Sequence, residues 1–145
     1  MNEQRHEFRN PDIFQVLPFR EYIRQNCPGP GEGYVVEDLD LILKIYGSKW
    51  NTDKMGRFML IELKFDDAWI NYAQQETFRS IHHLLRKADP EAKRYLGYFV
   101  IQYSDEDWEQ ADFRINRKAV TREQFLSFLH FNFDGLIIPD VFGGG

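Results

Sequence analysis

Two stretches of this sequence set charged side chains inside apolar runs. Asp38 and Asp40 precede Leu41-Ile42-Leu43, and Glu62 and Lys64 interrupt the run from Met59 to Phe65. A carboxylate is costly to bury unless it is paired, hydrogen-bonded or bound to a cation. An Asp and a Glu that converge supply hard oxygen ligands, which suit Mg²⁺, an ion that keeps several waters and completes its shell with carboxylates and substrate phosphate. Lys64, two residues beyond Glu62, can bring its ammonium to the same point. A metal that activates water and polarises a phosphate, with a cation near the developing charge, is what phosphodiester hydrolysis requires. These residues therefore point to in-line attack on a phosphodiester by a metal-activated water.

The elements that must position them are strands. Residues 34–46 are rich in β-branched and aliphatic side chains and read as a long strand. Residues 47–56 are a polar turn, and 57–65 a second strand, so the pair is a predicted hairpin. Successive strand residues face opposite ways. Glu62 and Lys64 thus share one face, and Asp38 and Asp40 share a face with Val36 and Ile42. Both aspartates fit the ligand role on the first strand, with Glu37 beside them.

Around this pair, residues 13–25 keep helical spacing, with Pro18 near the start, and the Pro/Gly-rich stretch 28–33 is a loop. Asp66 or Asp67 suits an N-cap for a helix over 68–88, with Ile70, Ala73, Thr77, Ile81 and Leu84 as its apolar stripe. Residues 95–103 form a further strand, 105–109 an acidic loop and 113–120 another strand, and Thr121 to Gln124 resembles a capping box opening a helix through 131. The order helix, strand, strand, helix, strand, strand, helix predicts an α/β (α+β) fold, one sheet covered by helices.

A length of 145 residues fits a single domain, 1–145, with a loose glycine tail. The composition, 43% hydrophobic and 16% aromatic, is that of a globular protein. No apolar stretch is long enough to span a bilayer and residues 1–10 are unlike a signal peptide, so no membrane partner and a cytoplasmic location are expected. Cys27 is the lone cysteine and matches no zinc spacing. A net charge of −5 argues against a protein that coats nucleic acid non-specifically, but not against an enzyme acting on it. Arg86-Lys87, Lys93-Arg94 and the set Arg114, Arg117, Lys118 and Arg122 form local basic clusters.

Asp40, then Glu62-Leu63-Lys64 after a hairpin turn, then a helix, resembles the PD-(D/E)xK nuclease superfamily, in particular its small resolvase-like and phage-type endonucleases. The resemblance runs from the first helix to Tyr103, with Leu39 where the family often has Pro. It implies a restriction-endonuclease-like core, a mixed central sheet flanked by helices. It further implies Asp40, Glu62 and the Leu63 carbonyl as ligands of Mg²⁺ or Mn²⁺, and Lys64 as the residue that positions the nucleophile. Asp40 is favoured over Asp38 because Leu41-Ile42-Leu43 follows it directly, as in the family. Many such nucleases add a glutamate on the first helix and a glutamine on the helix after the lysine. Glu21 is the candidate for the first, and Gln74, with Gln75 as the alternative, for the second. The resemblance implies a DNA endonuclease of recombination, repair or phage DNA processing, with a homodimer as the expectation.

Blander readings stand beside this one. Lys64 could form a buried salt bridge with Asp40 or Glu62 that serves the fold alone. A nuclease-fold module without activity, binding nucleic acid or a protein partner, would carry a similar pattern, and so would an unrelated α+β domain binding a basic partner through its acidic face. His82 and His83 point apart on a helix and read as surface or phosphate-contacting residues. Trp50, Trp69 and Trp108 could stack on bases, though core packing fits Trp69 better.

Overall fold

β2 (Phe58–Phe65) and β3 (Tyr95–Tyr103) are almost continuously apolar because both faces of each are covered. They pair in parallel, and the crossover between them is α1 (Tyr72–Ala88). β1 (Leu41–Lys44) lies antiparallel to β2, while β4 (Phe113–Ile115) and β5 (Lys118–Val120) continue antiparallel beyond β3. The result is one mixed five-stranded sheet in the order β1-β2-β3-β4-β5. This computed structural model describes residues 18, 21–23, 25–33, 37–46 and 52–143. The chain divides into units 1–36 and 37–145, the sheet belonging to the second.

Each face of the sheet has its own core. Met59, Ile61, Phe99, Ile101, Phe113 and Ile115 pack with Phe128 of α2 (Arg122–Leu129). Leu60, Tyr98 and Val100 pack with Phe78 of α1 on the other side. A register shift between Phe58 and Met59 pairs Phe58 with Tyr95 and Met59 with Gly97, so one extra residue on β3 puts Tyr95 on the α1 face beside Tyr98. Gly97 has φ of 142°, where a side chain would be strained, and an added Cβ would lie 3.1 Å from the Phe99 ring.

The sheet with helices on both faces agrees with the fold class expected from the sequence, while several local expectations need correction. β1 covers 41–44 rather than 34–46; residues 37–40 are outside any strand, and 34–36 lie outside the described residues. The expected strand over 113–120 is a hairpin, because Asn116 and Arg117 both adopt positive φ, 51° and 70°, which suits a two-residue turn. α1 begins at Tyr72, not Ala68. Its N-cap is Asn71, whose Oδ1 accepts from Gln74 N at 2.8 Å, whereas Asp66 takes φ 57° in the turn leaving β2. The buried stripe of α1 is Gln74, Phe78 and His82, not the apolar set expected, and Ile81 and Leu84 are exposed. Two of the three buried positions are polar, so counting apolar residues put the stripe one residue, about 100°, away, although Ile70 ahead of the helix is buried as expected. α2 opens at the capping box expected, Thr121 with Gln124.

In the first unit, positions 18, 21–23 and 25–26 are helical and Pro30–Glu32 form a 3-10 turn. Among the described residues no helix is long and apolar enough to cross a membrane.

The Phe99–Phe128 edge contact, with ring centroids 4.9 Å apart, joins the sheet to α2, and Phe128 is fully buried. Phe128→Ala should lower the unfolding free energy by about 3–5 kcal/mol, read from denaturant titration. A change within about 0.5 kcal/mol would mean that α2 does not close this core.

Candidate functional site

Asp40 leaves the end of β1 at the level of Glu62 and turns its carboxylate against β2. Its Oδ2 accepts from Leu63 N at 2.8 Å, and its own N–H donates to Glu62 Oε1 at 3.3 Å. A strand residue sends its N–H and C=O toward the same neighbour, so the Leu63 carbonyl opens on the Asp40 side as well. The other Glu62 oxygen, Oε2, accepts from Gln74 Nε2 at 3.1 Å, and Gln74 Oε1 accepts from Lys64 Nζ at 3.2 Å. The structure thus brings Asp40, Glu62, Lys64 and Gln74 together at the C-terminal end of β2, under the first turn of α1.

The other candidates are placed differently. Gln75 donates to the Ile70 carbonyl and has no bond to this cluster. Asp38 acts on Glu62 through its charge, more weakly than Asp40 does. Glu21 belongs to the first unit, where its exposed carboxylate accepts from Gln25 at 3.4 Å. Among the described residues no ion pair joins Lys64 to Asp40 or Glu62, so its ammonium reaches Glu62 through Gln74.

Glu62 is 4% exposed. Burial, then the neighbouring Asp40 charge, push its carboxyl up to about 7, and the Asp40 N–H and the Lys64 ammonium offset only part of this. Two buried acceptors lie in the same surroundings without a hydrogen-bond partner, Glu37 Oε2 and the Tyr98 hydroxyl. Burial raises the pKa of Tyr98, with the charges of Glu62, Asp40 and Glu37 adding to the shift. Tyr98 was missed in the sequence. Only its register opposite Leu60, on the face of Glu62, reveals it.

Among the described residues no three His, Cys, Asp or Glu side chains are gathered as metal ligands. A cation here would rest on two carboxylates and a backbone carbonyl. The residues fit an Mg²⁺-like ion on this count: a desolvated carboxylate that prefers its proton stands beside a second carboxylate, and the donors are hard oxygens.

Away from this cluster, His82 is buried rather than a surface residue. Its Nδ1 lies 2.7 Å from the Tyr95 hydroxyl and its Nε2 3.5 Å from Asp140 Oδ2. Burial lowers its pKa, against the pull of Asp140. Several residues of the basic clusters serve backbone carbonyls: Arg86 those of Tyr95 and Leu96, Arg122 those of Trp108, Glu109 and Ala111, and Lys118 that of Ile137. Trp69 is half-buried beneath Arg117, whose guanidinium carbon is 4.1 Å from its ring centre, Trp108 is exposed, and Trp50 lies outside the described residues.

Comparison with known families, with curated proteins and with solved structures found no match.

A carboxyl whose folded pKa lies above its unfolded value stabilises the protein fully below the unfolded value, and that contribution is lost as pH rises through the folded one. For Glu62 the window runs from 4.5 to about 7, and the full loss is about 3 kcal/mol. His82, with a lowered pKa, works in the opposite sense, so a difference between two proteins isolates Glu62. In metal-free buffer, Glu62→Gln should gain stability relative to the parent as pH is raised from 4.5 to 8, measured by urea unfolding. Parallel profiles would show that Glu62 titrates normally.

Proposed function

We propose that this chain is a divalent-cation-dependent nuclease that hydrolyses phosphodiester bonds in DNA, with Asp40, Glu62 and Lys64 as its catalytic residues. The observation that carries the reading is Glu62: a buried carboxyl, pushed up to about 7, held against a second carboxylate with a lysine next in the network. A salt bridge serving the fold alone would match Lys64 directly to a carboxylate. Here Lys64 bonds Gln74 instead.

Asp40, Glu62 and the Leu63 carbonyl are the groups that would hold Mg²⁺ or Mn²⁺. Such an ion, when bound, lowers the pKa of water and neutralises charge on the phosphate. The chain's own groups do the rest. The Leu63 N–H fixes the Asp40 carboxylate, and the Asp40 N–H and Gln74 amide fix that of Glu62. Gln74 Oε1 holds the Lys64 ammonium, which would orient the attacking water and stabilise negative charge growing on the phosphate. Recognition of DNA structure or ends is proposed over recognition of a long sequence, as in recombination, repair or phage DNA processing.

Supercoiled, branched and single-stranded DNA incubated with Mg²⁺ or Mn²⁺ should be cut. Asp40→Asn, Glu62→Gln and Lys64→Ala should each reduce the rate roughly 10²-fold or more, with the fold retained by circular dichroism. Mg²⁺ should raise the melting temperature of the parent more than that of Glu62→Gln. Absence of cleavage together with absence of any cation-dependent shift would overturn the reading, and DNA binding without either would favour an inactive binding module.

A further inference from the structure

The face of the sheet that carries Glu62 and Lys64 continues past β2. Lys64 pairs with Gln102 on β3, Gln102 with Arg114 on β4, and Arg114 with Ala119 on β5, so these four side chains form one row across the sheet. Beyond Lys64 the row opens into a cavity of about 380 Å³, lined by Gln102, Ser104, Asp112, Arg114 and Ala119 among others. Its size lies within the roughly 300–1,000 Å³ range of small-ligand clefts.

Two groups in this cavity say what it would take. Gln102 is 4% exposed, and its Nε2 donates to the Ala68 carbonyl at 2.9 Å, while its Oε1 is buried without a hydrogen-bond partner. A buried acceptor of this kind calls for an N–H or O–H donor. Arg114 is half-exposed and bonds the Asp66 carbonyl and Asp67 Oδ1, both through Nη2. Neither bond occupies Nε or Nη1, whose N–H groups remain to donate singly to an oxyanion. The exposed Asp67 carboxylate is a weak competitor for that charge, because surface pairs are worth little. A ligand suited to the cavity therefore carries an anion and, beside it, a hydrogen-bond donor on a compact group. A nucleotide has both, in its phosphate and its base.

We propose that the cavity is a nucleotide subsite for the substrate strand, in which Arg114 binds a phosphate next to the cleaved linkage and Gln102 Oε1 accepts an N–H from the adjoining base. The assignment rests on the nuclease reading, and it extends the substrate from Glu62 and Lys64 across β3 toward the β4–β5 hairpin. Ala119, small and exposed, leaves the cavity open.

The test uses the full chain with Mg²⁺ and a fluorescent single-stranded oligonucleotide, measuring KM and kcat separately. Ala119→Phe fills the cavity and removes no side-chain hydrogen bond; it should raise KM at least about tenfold, leave kcat within about twofold and leave the melting temperature unchanged. Arg114→Ala should raise KM similarly and reduce the salt dependence of binding by about one phosphate contact, while Arg114→Lys should recover part of the loss. If Ala119→Phe fails to fold, the two Arg114 variants decide alone. A parent that cuts the strand while these variants keep its KM, or lose only kcat, overturns the subsite and spares the nuclease. A parent that neither binds nor cuts overturns both.

Discussion

Glu62 is a carboxyl group that water scarcely reaches, placed on the strand that the sheet and α1 both bury. Desolvation penalises its ionised form, and the nearby Asp40 adds a second negative charge. What surrounds it is a set of donors: the Asp40 N–H, the Gln74 amide and, one bond further, the Lys64 ammonium. These come from the segment before β1, from the first turn of α1 and from β2 itself. The antiparallel edge and the crossover helix must therefore both be in place before the carboxyl can be buried at all. The crossover helix also closes the apolar cluster on that face, so core and site share it.

The parts of this arrangement that follow a two-residue period were legible in the chain. Glu62 and Lys64 lie on one strand and must share a face, and the acidic stretch before Leu41 lies across from them. Gln74 was legible only by resemblance, since on apolar periodicity it is a polar residue on a helix and belongs outside. The burial of Gln74 and His82 turned the buried face of α1 by one residue from the expected one, because each finds hydrogen-bond partners that a sequence does not display. Tyr98 was illegible for another reason. The parallel pairing across the α1 crossover decides which residues of β3 lie opposite which of β2, and near-continuous apolar residues leave that register unmarked.

The cations are divided in a way that net charge hides. Arg86 and Arg122 are turned onto backbone carbonyls at the ends of strands and loops, where they complete the hydrogen bonding of the fold. Lys64 and Arg114 stand instead in one row on the face of the acidic pair. A formal charge of −5 disfavours broad coating of a nucleic acid, while leaving room for local contacts along such a row.

The start of α1 shows how little of the acidic burden the protein offsets by itself. Gln74 is the third residue of the helix and closes its capping box: its N–H donates to Asn71 Oδ1, and its Oε1 accepts from Asn71 N at 3.1 Å and from Lys64. The remaining Gln74 group, Nε2, serves Glu62. One side chain therefore starts the helix and holds both Glu62 and Lys64. The positive end of a helix dipole favours an anion by about 0.3–1 kcal/mol. The shift of Glu62 to about 7 corresponds to about 3 kcal/mol against its ionised form, and it remains after the Asp40 N–H and the Lys64 charge have acted. Helix, amide and ammonium together leave the carboxyl preferring its proton near neutrality. In the proposed enzyme a divalent cation would supply the positive charge that the folded chain leaves lacking beside Glu62.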